Sequence, residues 1–190
     1  MHKILVVMDV LDNHRSVLDA VSANAEIKYI PASLVTSDDL EDADMIVGNI
    51  DPQLLKYCKH LKLLQLNNAG TDGFTSLGVL PEKATLANAT GAYGLAISEH
   101  MLGSLLCLMK KLDLYKMNQV NKKWNDEGPV SSIYGTRTLI VGFGDIGNEF
   151  GVRMSALGSQ VIGIRKNVSI KPAYVESMHT MDDFYSCLNE

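Results

Sequence analysis

The stretch TLIVGFGDIGNEFG, residues 138–151, decides the fold class of this chain. An apolar run that we interpret as a strand ends in a glycine-rich turn, and apolar residues then return at the spacing of a helix. The glycines suit a phosphate-binding turn: Gly142 permits a tight bend, Gly144 lets the backbone approach a diphosphate, and Gly147 lets the helix pack against the strand. The pattern therefore predicts the first part of a dinucleotide-binding unit.

The residues after the turn complete the same unit. Apolar residues follow at helical spacing, Gly158 ends the predicted helix, and QVIGI (160–164) predicts a second strand; the helical positions are Ile146, Phe150, Met154 and Leu157. The amino end of such a helix offers unpaired N–H groups and a positive dipole end to phosphates. Because GxGxxG is specific only within a strand, turn, helix and strand, this context favours a bound dinucleotide over a glycine turn without a ligand.

Two cations stand where the nucleotide preference is usually set. Arg165 and Lys166 follow the second predicted strand, where an NAD-binding unit places an acid that binds the ribose 2′-hydroxyl. A guanidinium can instead pair with a 2′-phosphate, so we predict NADP rather than NAD, with a solvated basic turn as the alternative. An S-adenosylmethionine site is a weaker alternative. The ribose hydroxyls of S-adenosylmethionine generally bind an acid at this strand end, whereas this chain has Arg165 there.

Composition limits the class of partner. The chain has 190 residues, 46% of them hydrophobic, which suits one large globular domain or a domain and a half. A net charge of -5 with scattered Lys and Arg argues against nucleic acid and anionic membranes, so we expect a small-molecule partner. No signal peptide or membrane span is expected. Cys58, Cys107 and Cys187 form no CxxC pair, which predicts reduced thiols in a cytoplasmic protein and no metal site.

The first ninety residues alternate short apolar runs with amphipathic segments. Strands are predicted at residues 4–8, 26–30, 44–47, 61–66 and 85–87. Helices are predicted around residues 15–23, 37–42, 51–58 and 73–77. Strands with little polar alternation are typical of a parallel sheet that helices cover on both faces, so we predict a doubly wound α/β half.

A long helical pattern follows, over residues 93–121. Its apolar stripe predicts burial on more than one side, as for a helix between two lobes; the stripe comprises Ile97, Met101, Leu105, Leu108, Leu112 and Tyr115. The polar segment 121–137 breaks the pattern, and we place the domain boundary inside the helix or just after it. Residues 175–190 read as a single helix, which predicts a second lobe with only two strands. Two strands bury too little apolar surface alone, so the first lobe, a second copy or chain beyond residue 190 is expected to cover them.

Three ordered motifs resemble the D-isomer-specific 2-hydroxyacid dehydrogenases, a family that includes phosphoglycerate dehydrogenases and glyoxylate/hydroxypyruvate reductases. LQLNNAGTDGF (64–74) looks like the substrate loop of that family, and NATGAYGLAISEH (88–100) looks like the entry to its interdomain helix. Residues 124–166, from WNDEG to IGIRK, look like its cofactor motif. The resemblance implies a flavodoxin-like substrate domain at 1–95, an interdomain helix and connector at 96–136, and the first part of a Rossmann domain at 137–190.

The resemblance also implies site residues. The substrate carboxylate would lie near the backbone N–H groups of Gly70 and Thr71, in a loop that Asn68 and Ala69 shape. Backbone amides in a glycine-containing turn can bind an anion, although an ordinary strand-to-helix turn is the alternative. Asp145 and Ile146 match a pair that lies along the dinucleotide. Asn88 and residues 93–95 match positions that line the cleft in that family. A strand-to-helix corner with no role in binding explains these residues equally well.

The chemistry implied by the resemblance is hydride transfer between NADP(H) and a small 2-oxo acid such as glyoxylate or hydroxypyruvate. The catalytic Arg, His and Glu of the family lie beyond the position of Glu190, so no catalytic residue is assigned here and residues 1–190 alone are expected to be inactive. His100 follows Glu99, but neighbouring residues on a helix point about 100° apart, which favours a packing or surface histidine. The alternative is a non-catalytic module that acts in binding or dimerisation. Subunits form pairs in the resembling family, so the resemblance predicts a homodimer.

Overall fold

The computed structural model describes residues 1–21 and 24–188. The chain forms two compact units, Met1–Thr90 and Gly91–Glu190, each with its own parallel sheet and apolar core. The helix expected to link two lobes therefore falls in the second unit. Among the described residues, none of the helices combines the length and apolar character that crossing a bilayer requires.

The first unit is a five-stranded parallel sheet with the strand order β2-β1-β3-β4-β5. Its strands are β1 (His2–Val6), β2 (Ala25–Tyr29), β3 (Met45–Val47), β4 (Leu63–Gln65) and β5 (Thr85–Ala87). Its helices are α1 (Asp12–Ala20) and α2 (Ser37–Glu41), with 3₁₀ helices at Ala32–Leu34 and Pro52–Tyr57. This order is that of flavodoxin-like folds. Leu5, Ile46 and Leu64 on the central strands are almost completely buried and form the centre of the core.

The second unit is a three-stranded parallel sheet in the order β6-β7-β8. Its strands are β6 (Arg137–Val141), β7 (Gln160–Ile164) and β8 (Val175–His179). Its helices are α3 (Gly94–Met109), α4 (Leu112–Val120), α5 (Asp145–Ala156) and α6 (Phe184–Leu188), with a 3₁₀ helix at Met181–Asp183. Phe143, Val161 and Val175 lie at the centre of its core, which Leu102 and Leu105 of α3 cover.

The carboxyl-terminal prediction is wrong. Residues 175–179 form β8 instead of the start of a helix, and only Phe184–Leu188 is α-helical within the described part of 175–190. Residues 189 and 190 lie outside the described residues. The second unit therefore has three strands rather than two. Val175 is buried, Glu176 is exposed, and the other three residues of β8 are partly buried.

The long helix is interrupted. Lys111 has a left-handed backbone (φ 53°) between α3 and α4, and its ammonium group donates to the Glu127 carbonyl oxygen. The predicted stripe is also largely exposed: Leu108 has an exposed fraction of 69%, whereas Leu105 packs against the core. The helix is therefore covered along one face by its own unit, and the remaining apolar residues face outward.

The remaining differences are local. No helix forms at residues 73–77, which are turns between Gly73 and Gly78, both with positive φ. The helix predicted at 15–23 is α1, three residues earlier, and positions 22 and 23 of that prediction lie outside the described residues. The segment predicted at 51–58 is a 3₁₀ helix.

Candidate functional site

The glycine turn joins β6 to α5. Gly142 has φ 96°, a conformation that favours glycine, and the Gly144 N–H donates to the Gly142 carbonyl oxygen at 2.9 Å. A Cβ atom on Gly147 would overlap the Gly142 carbonyl oxygen and lie 3.2 Å from Ile140 Cγ2, so only glycine fits between strand and helix. A Cβ atom on Gly144 would meet nothing within 4 Å. The space in front of Gly144 is therefore open.

Three backbone donors at the start of α5 are unused. Within the described part of the chain, the N–H groups of Asp145, Ile146 and Gly147 donate no hydrogen bond, and the first capping bond runs from Asn148 N–H to the Gly144 carbonyl oxygen at 2.9 Å. A helix of twelve residues adds a partial positive charge at the same end. This end of α5 has the donors and the field that an anion requires.

An open groove lies beside the glycine turn. It has a volume of about 980 Å³ and is lined by Gly142, Phe143, Gly144, Arg165, Lys166, Asn167, Val168 and Ser169. A second groove of about 530 Å³ shares Gly142, Arg165 and Lys166 and adds Thr180, Met181 and Asp182 from the end of β8. Both grooves lie at the carboxyl ends of parallel strands, where open α/β sheets bind ligands.

Arg165 and Lys166 line both grooves directly after β7. The Arg165 N–H donates to the His179 carbonyl oxygen at 3.0 Å, which fixes the backbone of the pair at the sheet edge. Neither side chain forms an ion pair with any carboxylate in residues 1–21 and 24–188. Two cations without an ion-pair partner among the described residues therefore lie beside the turn, available to an anionic group.

The loop after β4 in the first unit is held by the segment that follows β5. Ala89 N–H donates to the Asn68 carbonyl oxygen at 2.9 Å, and Asn88 Nδ2 donates to the Ala69 carbonyl oxygen at 2.8 Å. The next two backbone N–H groups, of Gly70 and Thr71, have no acceptor among the described residues. Hydrogen bonds thus fix the backbone of this loop, and the loop presents two adjacent N–H groups without an acceptor among the described residues.

The sequence did not indicate that the Asn88 side chain fixes this loop by a hydrogen bond to Ala69. The segment 88–90 carries the asparagine signature of a local turn, since Thr90 N–H donates to Asn88 Oδ1 at 3.3 Å. Nothing in the sequence indicates the contact with Ala69, because that contact depends on the pairing of β4 with β5.

The histidine beside Glu99 has no acid partner in the described residues. His100 is exposed on α3, and Glu99 approaches Arg153 of α5, with Oε1 at 3.8 Å from Nη2. Arg153 also pairs with Glu149 at 2.9 Å. Glu99 is therefore part of a contact between helices rather than of an acid and imidazole pair.

The titratable groups with strongly shifted pKa values lie away from the glycine turn. Hydrogen bonds from Lys28 and Thr36 lower the pKa of Asp39 to about 2, and hydrogen bonds from Lys62 and the Lys3 backbone lower the pKa of Asp44 to about 2. Burial raises the pKa of the Cys58 thiol to about 11. All three groups lie in the first unit, where they affect its stability rather than the glycine turn.

The family comparison gives one matching domain. Residues 102–189 match the model of the D-isomer specific 2-hydroxyacid dehydrogenase, NAD binding domain. A curated relative, the glycerate dehydrogenase of Methylorubrum extorquens, is 24% identical over 147 residues, which cover 72% of this chain and 46% of that protein. The chain spans less than half the length of the curated relatives that it matches, with 44%, 37% and 46% of them covered.

Solved structures share the fold. A D-isomer specific 2-hydroxyacid dehydrogenase family protein from Aeromonas salmonicida has a TM-score of 0.85 at 22% identity, over 98% of this chain and 60% of that one. An NADPH-dependent glyoxylate/hydroxypyruvate reductase from Sinorhizobium meliloti, solved with NADP and sulfate, has a TM-score of 0.77 at 18% identity, over 98% and 58%. The resemblance seen in the sequence is thereby confirmed: residues 102–189 match the NAD-binding domain of the D-isomer specific 2-hydroxyacid dehydrogenases, and the chain adopts the parallel α/β fold of solved members of that family.

Proposed function

We propose that this chain binds NADP(H) and the carboxylate of a small 2-oxo or 2-hydroxy acid, as part of an oxidoreductase that transfers a hydride between them. The observation that carries the proposal is the set of three unused N–H donors at residues 145–147, at the positive end of α5 and beside an open groove. Such an end is suited to a diphosphate because its donors are already in place before the ligand arrives.

The proposed cofactor site has two parts. The N–H groups of Asp145, Ile146 and Gly147 bind the diphosphate, and Gly142 and Gly144 keep the approach clear of side chains. Arg165 and Lys166 bind the 2′-phosphate of NADP(H), which is supported by the lack of a carboxylate partner for either cation within the described residues. The match of residues 102–189 to a NAD-binding domain supports a nicotinamide cofactor.

The proposed substrate site is the loop after β4. Gly70 and Thr71 donate two N–H groups to the substrate carboxylate, and Asn68 and Ala69 hold the loop through their carbonyl oxygens. Met1–Thr90 is then the substrate-binding unit, and residues 137–190 contain the cofactor site. Glyoxylate and hydroxypyruvate are the substrates we propose, since the reductase from Sinorhizobium meliloti has this fold.

Two further parts of the proposal concern assembly and location. We propose a homodimer in which a second copy covers apolar side chains exposed on α3 and α4, such as Leu108, Leu112 and Met117. Cys58, Cys107 and Cys187, all within the described part of the chain, are unpaired, which is compatible with a reducing cytoplasmic location.

A non-catalytic binding module is the second candidate. It is favoured by the position of His100, which is exposed and lacks an acid partner in the described residues, so this chain offers no tuned base on α3. Such a module would bind the nucleotide without turnover. Both candidates share the same cofactor site, and they differ in whether a longer polypeptide supplies the acid and base.

Titration of the purified 190-residue chain with NADPH and with NADH, followed by nucleotide fluorescence, tests the binding proposal. We expect NADPH to bind more tightly than NADH, because only NADPH has a phosphate for Arg165 and Lys166. Equal affinities would remove the phosphate assignment, and absence of binding by both would remove the cofactor site. Assays with glyoxylate and hydroxypyruvate should show no turnover by this chain alone, and clear NADPH-dependent reduction would overturn that expectation.

A further inference from the structure

A carboxylate on the first turn of α5 lies against the start of another helix. Gly94 is buried and is the first residue of α3. A Cβ atom on Gly94 would lie 2.9 Å from Asp145 Oδ2, 3.0 Å from Asp145 Oδ1 and 2.9 Å from Glu149 Cγ. Both carboxylate oxygens of Asp145 therefore lie where a side chain on the first residue of α3 would begin, and this close approach requires a residue without a side chain.

The start of α3 is a second positive helix end. The N–H groups of residues 94–96 have no acceptor in the described part of the chain, and the first bond of the helix runs from Ile97 N–H to the Tyr93 carbonyl oxygen at 3.0 Å. The Asp145 carboxylate forms no hydrogen bond or ion pair among the same residues. The acid thus lies close to the positive end of a sixteen-residue helix, where a negative charge is favourable.

The same acid begins the helix whose free amides we assign to the diphosphate. A negative charge on the first turn of α5 repels a second anion at the free amides of the same turn, and this repulsion acts over several ångströms. Glu149, one turn further along α5, differs because Arg153 pairs with it at 2.9 Å. Asp145 is therefore the acid on the first turn of α5 whose charge opposes a ligand at residues 145–147.

We infer that Asp145 is a positioning residue with two opposed effects: its carboxylate anchors the start of α3 on α5, and its charge lowers the affinity of the glycine turn for the dinucleotide. The inference rests on the proposed function, since it needs a diphosphate at the amino end of α5. The backbone N–H of Asp145 attracts the ligand, whereas the side chain of the same residue repels it.

The Asp145→Asn variant tests both effects, because it removes the charge and keeps the size of the side chain. Without nucleotide, we expect its Tm to fall by about 1–3 °C, the size of a lost interaction between a charge and a helix end in a chain of this length. In the same variant, NADPH should bind about fivefold more tightly at low ionic strength, and the gain should shrink near 1 M salt as the charges are screened.

Glu176→Gln is the matched control. It removes the same charge from an exposed position on β8, so it should change neither the Tm nor the NADPH affinity appreciably. Asp145→Ser provides a second variant in case the asparagine disturbs the turn, and it should also bind NADPH more tightly than the wild type. A purely structural role for Asp145 would lower the Tm without raising the affinity.

The outcomes separate the inference from the proposed function. If the wild type binds NADPH and both Asp145 variants bind it equally or more weakly, the inference is wrong and the cofactor site stands. If the variants bind more tightly with an unchanged Tm, the anchoring role is wrong. If the wild type and the variants all fail to bind NADPH, the proposed function is wrong and the inference fails with it.

Discussion

Gly147→Ala tests the packing that brings α5 onto β6. The new Cβ atom would overlap the Gly142 carbonyl oxygen and crowd Ile140 Cγ2 at 3.2 Å. Overpacking of this kind costs about 1–3 kcal/mol, and the upper part of that range applies because the obstructing atom belongs to the backbone. Alanine in a helix recovers up to about 1 kcal/mol relative to glycine. We therefore expect the free energy of unfolding to fall by about 1–2 kcal/mol.

Two other glycines supply matched controls for this variant. Gly103 lies within α3 with nothing within 4 Å of an added Cβ, so Gly103→Ala should stabilise the chain by about 0.5–1 kcal/mol. Gly144 also has an unobstructed Cβ position and a negative φ, so Gly144→Ala should fold as well as the wild type. Its methyl group would, however, enter the open groove and weaken NADPH binding.

Urea unfolding measures the three stabilities, and NADPH fluorescence measures the three affinities. The reasoning predicts that Gly147→Ala loses stability, Gly144→Ala loses binding alone, and Gly103→Ala loses neither. A Gly147→Ala variant as stable as Gly103→Ala would refute the packing argument. A Gly144→Ala variant with wild-type affinity would refute the assignment of the groove to the nucleotide.

Three further changes test other parts of the account. The pKa values of Asp39 and Asp44 are lowered to about 2 in the folded state, so their stabilising effect is complete above about pH 4, the usual pKa range of an aspartate, and is lost as the pH falls towards 2. The Tm should therefore drop between about pH 4 and pH 2, and Asp39→Asn should make the Tm less dependent on pH in this interval. Arg165→Asp should weaken NADPH binding by about 1–3 kcal/mol and NADH binding much less, as two fluorescence titrations would show; equal losses would contradict the phosphate contact. Asn88→Ala should lower the free energy of unfolding by about 1 kcal/mol, because the Ala69 carbonyl loses its side-chain donor, and unchanged urea unfolding would argue against that tie.

The parts of the fold that sequence patterns predicted are those set by local residues. QVIGI is β7 as expected, because five successive residues without charge favour a buried strand beside a glycine turn. The glycines themselves fix the turn, since the close approach of Gly147 to Gly142 depends on residues only five apart. Gly158 ends α5 with a positive φ of 83°, the common conformation after a helix.

The parts that sequence patterns missed depend on distant partners. β8 contains Glu176 and Ser177, and it forms because β7 offers an edge to which it can pair. The break at Lys111 lacks the usual Gly or Pro signal, and contacts of Lys110 and Lys111 with the connector accompany it. The close approach of Asp145 to Gly94 is likewise absent from the sequence pattern, because the two residues are 51 positions apart.

The most direct test of the central claim is a ¹H–¹⁵N NMR titration of this chain with NADPH. The account predicts that the amide signals of Ile146 and Gly147 shift strongly and early, because these N–H groups gain charged acceptors, while amides in the core of the first unit remain in place. NADPH that binds without moving the signals of Ile146 and Gly147 would contradict the assignment of the diphosphate to the amino end of α5.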